Sequence, residues 1–216
     1  MSTLYTYYRS SAAYRVRIAL NLKGMPYTAV PVHLVKDGGQ HRSAAYRARN
    51  PQALVPAFEL EDGTVLTQSL AIMEYLDEVQ PESALLPADA IGRARVRALA
   101  QAIACDLHPV NNLRVLQYLS QQLGISAEQK DAWYRHWVAT GLQGLEALLA
   151  DHPSTGRFCH GDTPTLADCC LVPQLYNARR FQCPLDAYPT IRRIAAACET
   201  LPAFQQAAPE VQPDAD

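Results

Sequence analysis

The feature that most limits the folds open to this chain is a change of rhythm near residue 80. Before it the apolar pattern changes roughly every ten to fifteen positions, and after it long helical periodicity dominates. Short elements of alternating type suit a sheet with crossovers, and sustained helical periodicity suits a bundle, so the 216 residues are expected to form two domains. Val79 to Pro87 lacks periodicity and carries Pro81 and Pro87, which places a linker at 81–88 between domains at 1–80 and 89–216.

In the first part, Thr3 to Tyr8 reads as a strand. Ala12, Val16, Ala19 and Leu20 recur at helical spacing until Gly24 and Pro26, and Tyr27 to Leu34 is again extended. A loop at Lys36 to Gln40 and a short helix at Ser43 to Arg49 precede Asn50-Pro51. Ala57 to Glu61 and Thr64 to Thr67 flank Asp62-Gly63, a pair suited to a type I′ turn with both central residues at positive φ. Ser69 is expected to cap a helix carrying Leu70, Ile72, Met73, Tyr75 and Leu76. This order predicts an α/β, thioredoxin-like domain with a mixed four-stranded sheet, followed by an all-α helical bundle domain.

In the second part, one helical pattern runs from Ile91 to about Gln122 and should kink at Pro109, beside His108. Ser126 to Gln129 and Thr165 to Asp168 are capping-box sequences that open further helices, and Pro189 suits a first helical turn. Pro209 to Asp216 reads as a tail.

Composition restricts the partner more than the fold. A net charge of -2 offers no general attraction to nucleic acid or to an anionic membrane, so anion binding must rest on locally placed arginines. No apolar run is long enough to span a bilayer and the start of the chain lacks a signal-peptide pattern, so a cytoplasmic protein with a small partner is expected. His136 and His152 lack metal-ligand spacing, and nothing resembles a phosphate-binding glycine loop. Cys105, Cys159, Cys169, Cys170, Cys183 and Cys198 show no CxxC pairing and are expected to be buried free thiols.

The stretch richest in chemistry is Tyr8-Arg9-Ser10-Ser11-Ala12-Ala13-Tyr14-Arg15, where a strand ends in two serines at a helix start. A helix N-terminus carries partial positive charge and unpaired amides, so it stabilises an anion such as a thiolate, to which serine hydroxyls can also donate. Lowering a thiol pKa from about 8.5 by about two units, worth roughly 2.7 kcal/mol, makes it mostly thiolate at neutral pH. No cysteine lies in the first 104 residues, so a sulfur working at this site must come from outside. Arg9 and Arg15 bracket the serines and suit carboxylates. Taken alone, such serines are equally plain helix caps. Val55-Pro56, between loop and strand, is a place where a cis bond can aim backbone groups at a ligand, and Gln68-Ser69 offers a second helix start for a carboxylate.

Together, Ser10-Ser11 with Arg15-Val16-Arg17-Ile18-Ala19-Leu20, Lys36-Asp37-Gly38-Gly39-Gln40, Asn50-Pro51, Val55-Pro56, Gln68-Ser69-Leu70-Ala71-Ile72 and Gly161-Asp162-Thr163-Pro164-Thr165-Leu166-Ala167-Asp168 resemble zeta-class glutathione transferases over nearly the whole chain. The resemblance implies a glutathione-binding thioredoxin-like domain, a cis bond before Pro56, a helical substrate-binding domain and a homodimer. It makes Ser10, with Ser11 and Arg9, catalytic at the glutathione sulfur. Ser11 to Arg15 complete the thiol-binding turn, Val55 and Pro56 hold the cysteinyl part, and Gln68 and Ser69 the γ-glutamyl end. His41, His108 and Asn112 join the cofactor set, and Arg9, Arg114 and Arg180 hold an acidic substrate.

The activity so implied is glutathione-dependent cis-trans isomerisation of a maleyl keto acid, maleylacetoacetate or maleylpyruvate, in aromatic compound catabolism. Thiolate addition would let the former double bond rotate, and expulsion would give the fumaryl product. Three arginines suit a dicarboxylate held while the bond between its ends turns. The alternatives are a transferase or dehalogenase acting on small α-halo acids, and a binding module that has lost catalysis. Ala12 and Tyr14 stand where the class often has cysteine and tryptophan, so any chemistry of that cysteine is absent.

Overall fold

The computed structural model describes residues 1–215. Strand β1 (Thr3–Thr6) is followed by helix α1 (Ser11–Leu22), which carries the chain over to β2 (Thr28–Pro31), paired in parallel with β1. A parallel partner needs such a crossover, whereas β3 (Ala57–Glu59) and β4 (Val65–Thr67) are antiparallel neighbours joined by a short loop. The sheet order is β2-β1-β3-β4, the expected mixed four-stranded sheet. Leu4 and Phe58 face each other across β1 and β3 and are buried, as are Val16, Ala19 and Leu20 of α1 and Ile72, Met73 and Leu76 of α3 (Ser69–Val79).

Several local expectations are corrected. β1 stops at Thr6 rather than Tyr8, because the Ser10 amide donates back to the Tyr7 carbonyl at 2.9 Å and closes a turn. β2 ends at Pro31, and the short helix α2 is confined to Ala44–Arg47 with Ser43 as its cap. The β3–β4 loop is not a type I′ turn. Gly63 alone in it has positive φ, its amide donates to Leu60, and Leu60 pairs with Thr64, so Glu61-Asp62-Gly63 form a three-residue loop. The Asp62 carboxylate takes the Thr64 amide at 2.8 Å, which favours this form.

In the second compact unit, Leu86–Glu199, α4 (Ala90–Gln101) is capped by Asp89 and runs into a π-helical stretch, Ala102–Leu107, and then α5 (His108–Val110). The single kinked helix expected to reach Gln122 is therefore broken at Asn111. Pro109 supplies no amide donor and its ring crowds the carbonyl four residues back; in the wider turn before it, the His108 amide reaches Ile103. Helix α6 (Leu113–Gln121) restarts with Asn112 as cap, and α7 (Ala127–Leu149) opens with the Ser126/Gln129 capping box. Helix α8 (Leu166–Arg180) opens with the Thr165/Asp168 box, and α9 (Pro189–Glu199) begins at its proline. The fully buried Asp168 accepts from the amides of Cys159 and Thr165 and from the Thr165 hydroxyl, at 2.8–2.9 Å. Burial raises its pKa, and these bonds oppose the rise. Among the six cysteines, Cys105 is exposed, contrary to expectation, because it lies on the outer side of the π-helical stretch; the others are buried.

The chain then returns to the first unit. Met1–Leu85 form that unit together with the residues from Thr200 onward, a departure from the expected single domain at 89–216. Helix α10 (Pro202–Ala207) packs on α1, and the side chain of Asn21 donates to the Ala203 carbonyl at 2.9 Å. The expected tail is built structure as far as residue 215: Pro209–Val211 form a 3₁₀ turn, and Gln212 Nε2 donates to the carbonyls of Gln206 and Ala208. Asp216 lies outside the described residues.

Lys23, at the end of α1, is buried; its ammonium pairs with Asp77 and donates to the carbonyls of Gln80 and Glu82. Asp77 also accepts from the Leu85 amide at 2.7 Å. Removing one partner of a buried pair leaves the other charge uncompensated. Asp77→Ala should lower the unfolding free energy by about 3 kcal/mol, measured as a fall in the urea midpoint.

Candidate active site

Several candidate residues of the first unit lie just beyond one end of the sheet's strands. β1 ends there, β3 begins there and β4 ends there, because β3 runs antiparallel to both. After β1, Tyr7 and Tyr8 turn inward to pack with Val32, Tyr46, Val55 and Ala57. Ser10 follows as the N-cap of α1, with extended φ/ψ, and its Oγ accepts from the Ala13 amide at 3.2 Å. A hydroxyl that accepts there still has its proton to donate. Ser11, the first helical residue, is buried beside it. Arg9 is exposed with its guanidinium over the Tyr8 ring, 4.7 Å from the centroid. Arg15 is buried and donates to Ser69 Oγ at 3.2 Å, which ties the start of α1 to the start of α3.

The bond between Val55 and Pro56 is cis, as the resemblance implied. Leu54 is pinned by two donors on its carbonyl, Tyr46 Oη at 2.6 Å and Asn50 Nδ2 at 2.7 Å, which gives Asn50-Pro51 a physical role. Among the described residues, neither the amide nor the carbonyl of Val55 has a hydrogen-bond partner. Ser69 is not the helix cap: Gln68 holds that position at φ 68° and ψ 115°, with no side-chain cap, and Ser69 is the first helical residue. The opening amides of α3 therefore receive no acceptor from the Gln68 side chain, which instead donates to Gln52 at 2.9 Å. His41 is buried under Gly39, where an added Cβ would meet its ring at 2.5 Å. Burial, with Arg42 nearby, lowers its pKa, and its Nδ1 has no partner.

In the second unit, Asn112 caps α6 through Oδ1 and places Nδ2 3.2 Å from His108 Nε2. Arg114 is exposed on the first turn of α6, and Arg180 is exposed at the end of α8 with its guanidinium over Phe181. One connected set of contacts holds these together. Trp133 Nε1 donates to the Val110 carbonyl at 3.0 Å and Asn111 Nδ2 donates to the Tyr134 carbonyl at 3.3 Å, and Tyr134 of α7 stacks on Phe181. Sequence reasoning missed Asn50, Tyr46 and Gln52 as supports and the unusual backbone of Gln68; the Asn50-Pro51 turn was the one local signal.

Two family models match the chain, the N-terminal domain of glutathione S-transferase over residues 4–84 and its C-terminal domain over residues 131–209. A probable maleylacetoacetate isomerase of Vibrio cholerae is 53% identical and covers 98% of this chain and 97% of its own. A holo structure of a maleyl pyruvate isomerase, described as a bacterial zeta-class glutathione S-transferase, superposes with a TM-score of 0.95 at 52% identity, covering 99% of this chain and 100% of its own. The chain belongs to the zeta-class glutathione S-transferases. A further relative, the maleylacetoacetate isomerase of Anaeromyxobacter dehalogenans, matches at 48% identity and a TM-score of 0.88 over 100% of this chain and 98% of its own. It has been solved with glutathione in its active site, and also with dicarboxyethyl glutathione and citrate there. Among the described residues, no helix is long and apolar enough to cross a membrane, and no group of three or more His, Cys, Asp or Glu could hold a metal ion.

In this zeta-class chain Gln68 is strained, since non-glycine residues at positive φ cost about 1–3 kcal/mol. Gln68→Gly should raise the unfolding free energy by about 1 kcal/mol while weakening glutathione binding severalfold, read by denaturation and by titration calorimetry.

Proposed function

We propose that this protein is a glutathione-dependent cis-trans isomerase acting on a maleyl keto acid, of the maleylacetoacetate or maleylpyruvate type. The observation that carries the reading is the set of two helix starts and a cis-proline loop, Ser10-Ser11, Gln68-Ser69 and Val55-Pro56, in a chain about half identical, end to end, to isomerases of that name. The donor set fits glutathione. The unpaired amide and carbonyl of Val55 suit the peptide backbone of a cysteinyl residue, and the uncapped start of α3 with Ser69 suits a carboxylate.

Bound glutathione supplies a nucleophilic sulfur for reversible addition to the cis double bond. The chain's own part is to hold that sulfur ionised and the substrate in place. Ser10 Oγ–H would donate to that sulfur, and Ser11 and the first amides of α1 would add positive potential. Arg15 sets the distance between the two helix starts through Ser69. His41 presents a buried ring nitrogen without a partner beside the Gly38-Gly39 turn, consistent with a contact to the glycyl end. Arg9, Arg114 and Arg180, all exposed, are assigned to substrate carboxylates and to the negative charge that develops when sulfur adds. Asn112 and His108 form a hydrogen-bonded pair assigned to the cofactor. Residues 1–80 then supply most of the cofactor set and residues beyond 89 most of the substrate set; a cytoplasmic homodimer accords with the family likeness.

Purified protein should isomerise maleylpyruvate or maleylacetone only when glutathione is added, followed by ultraviolet absorbance. Absence of glutathione-dependent turnover of either acid overturns the reading. Ser10→Ala should lower kcat about ten- to hundredfold and raise the pKa of the bound thiol. Arg180→Ala should raise KM for the dicarboxylate about tenfold with glutathione binding unchanged. If Ser11→Ala shows the loss instead, the donating hydroxyl is Ser11.

A further inference from the structure

The second arginine of the Arg15-Val16-Arg17 run is fully buried with its guanidinium 5.2 Å from the Tyr14 ring centroid, and its hydrogen bonds go to the end of β1, to the turn before Ser10 and to the segment beyond Thr200. Arg17 Nε donates to the Ala207 carbonyl at 3.0 Å. Its Nη1 donates to Thr6 Oγ1 at 3.0 Å and to the Tyr7 carbonyl at 3.4 Å, and Nη2 donates to the Tyr8 carbonyl at 3.0 Å. From the opposite side, Asp214 Oδ2 accepts the Tyr8 amide at 3.0 Å. Tyr8 is therefore held by charged groups at both its amide and its carbonyl, two residues before the Ser10 cap. The Tyr7 carbonyl serves twice, accepting from Arg17 and from the Ser10 amide.

The segment that supplies Asp214 is itself braced. Gln212 is buried and ties back to Gln206 and Ala208, and Ala215 packs on the tyrosine cluster. The Asn21–Ala203 bond fixes the start of α10 to α1. This density of directed bonds exceeds what covering an apolar face requires, and its targets are the peptide groups that decide where Ser10 and Ser11 lie.

We propose that residues 202–215 form a strap that positions the thiol-binding turn, with Arg17 and Asp214 as positioning residues for Ser10 and Ser11. The inference rests on the reading of those serines as the thiol site. A hydroxyl donating to a thiolate must lie within a few tenths of an ångström of its best distance, and the peptide of Tyr8 is the last rigid point before it. Neither Arg17 nor Asp214 touches the reacting atoms; each acts through the Tyr7–Ser10 backbone.

The test uses the whole chain with glutathione and maleylpyruvate. In Asp214→Ala the pH at which bound glutathione ionises, read from thiolate ultraviolet absorbance, should rise by about one unit. kcat should fall about tenfold, and KM for maleylpyruvate should stay within about twofold. Asp214→Asn keeps an acceptor oxygen for the Tyr8 amide and should restore most of both. An Asp214→Ala protein that ionises bound thiol and turns over like the wild type overturns the proposal, as does an Asn variant no better than Ala. If Asp214→Ala does not fold, Gln212→Ala decides, since it loosens the strap without touching Tyr8: a rise in the thiol pKa supports the proposal and an unchanged titration overturns it. A wild type without any bound-thiolate signal removes the thiol-site reading and this inference together. A normal wild type with an unperturbed Asp214→Ala removes this inference alone.

Discussion

A guanidinium shut away from water loses solvation worth several kcal/mol and persists only where acceptors surround it. Arg17 meets that condition with three backbone carbonyls and a threonine hydroxyl drawn from the end of β1 and from α10. Burial lowers its pKa to about 10, so it remains charged at neutral pH and the demand for acceptors never relaxes. The first unit cannot close correctly unless β1, α1 and the residues after Thr200 arrive in one arrangement. The placement of the two serines follows from that requirement more than from the helix start itself.

Features decided by nearby residues were readable in the sequence. Both capping boxes formed as expected, because each is a reciprocal pair three residues apart at a helix start. The strand and helix order gave the mixed sheet, since a crossover followed by a hairpin leaves few topologies. The turn at Asp62-Gly63 was misread because two loop types accept that pair, and a single bond from Asp62 to the Thr64 amide favours one. Gln68 at positive φ carries no signature, since the conformation is imposed by its surroundings and not preferred by glutamine. Least legible was the strap: Arg17 binds a carbonyl 190 residues away, and no periodicity in Pro209 to Asp216 announces it.

At the candidate site the sequence supplied most of the names and the structure supplied their relations. Ser10 and Ser11 stand out by local physics, as do Val55-Pro56 and Gln68-Ser69 more weakly, whereas the assignment of all of them to glutathione rests on family likeness. Ser69 changed its part, from helix cap to the oxygen that receives Arg15. Tyr46 and Asn50 emerged only once their two donors were seen converging on Leu54.

The cysteines carry a consequence for how such a protein ages. Cys159, Cys169, Cys183 and Cys198 are buried, and burial raises the pKa of each, so they stay protonated and slow to exchange. Ala12 stands where related chains often carry a thiol, and the first 104 residues contain none. An oxidised cofactor therefore finds no sulfur at the serine turn with which to form a mixed disulfide. Apart from the exposed Cys105, oxidation of sulfur then falls on a part that diffuses away and is replaced, and the folded scaffold outlasts many copies of its own nucleophile.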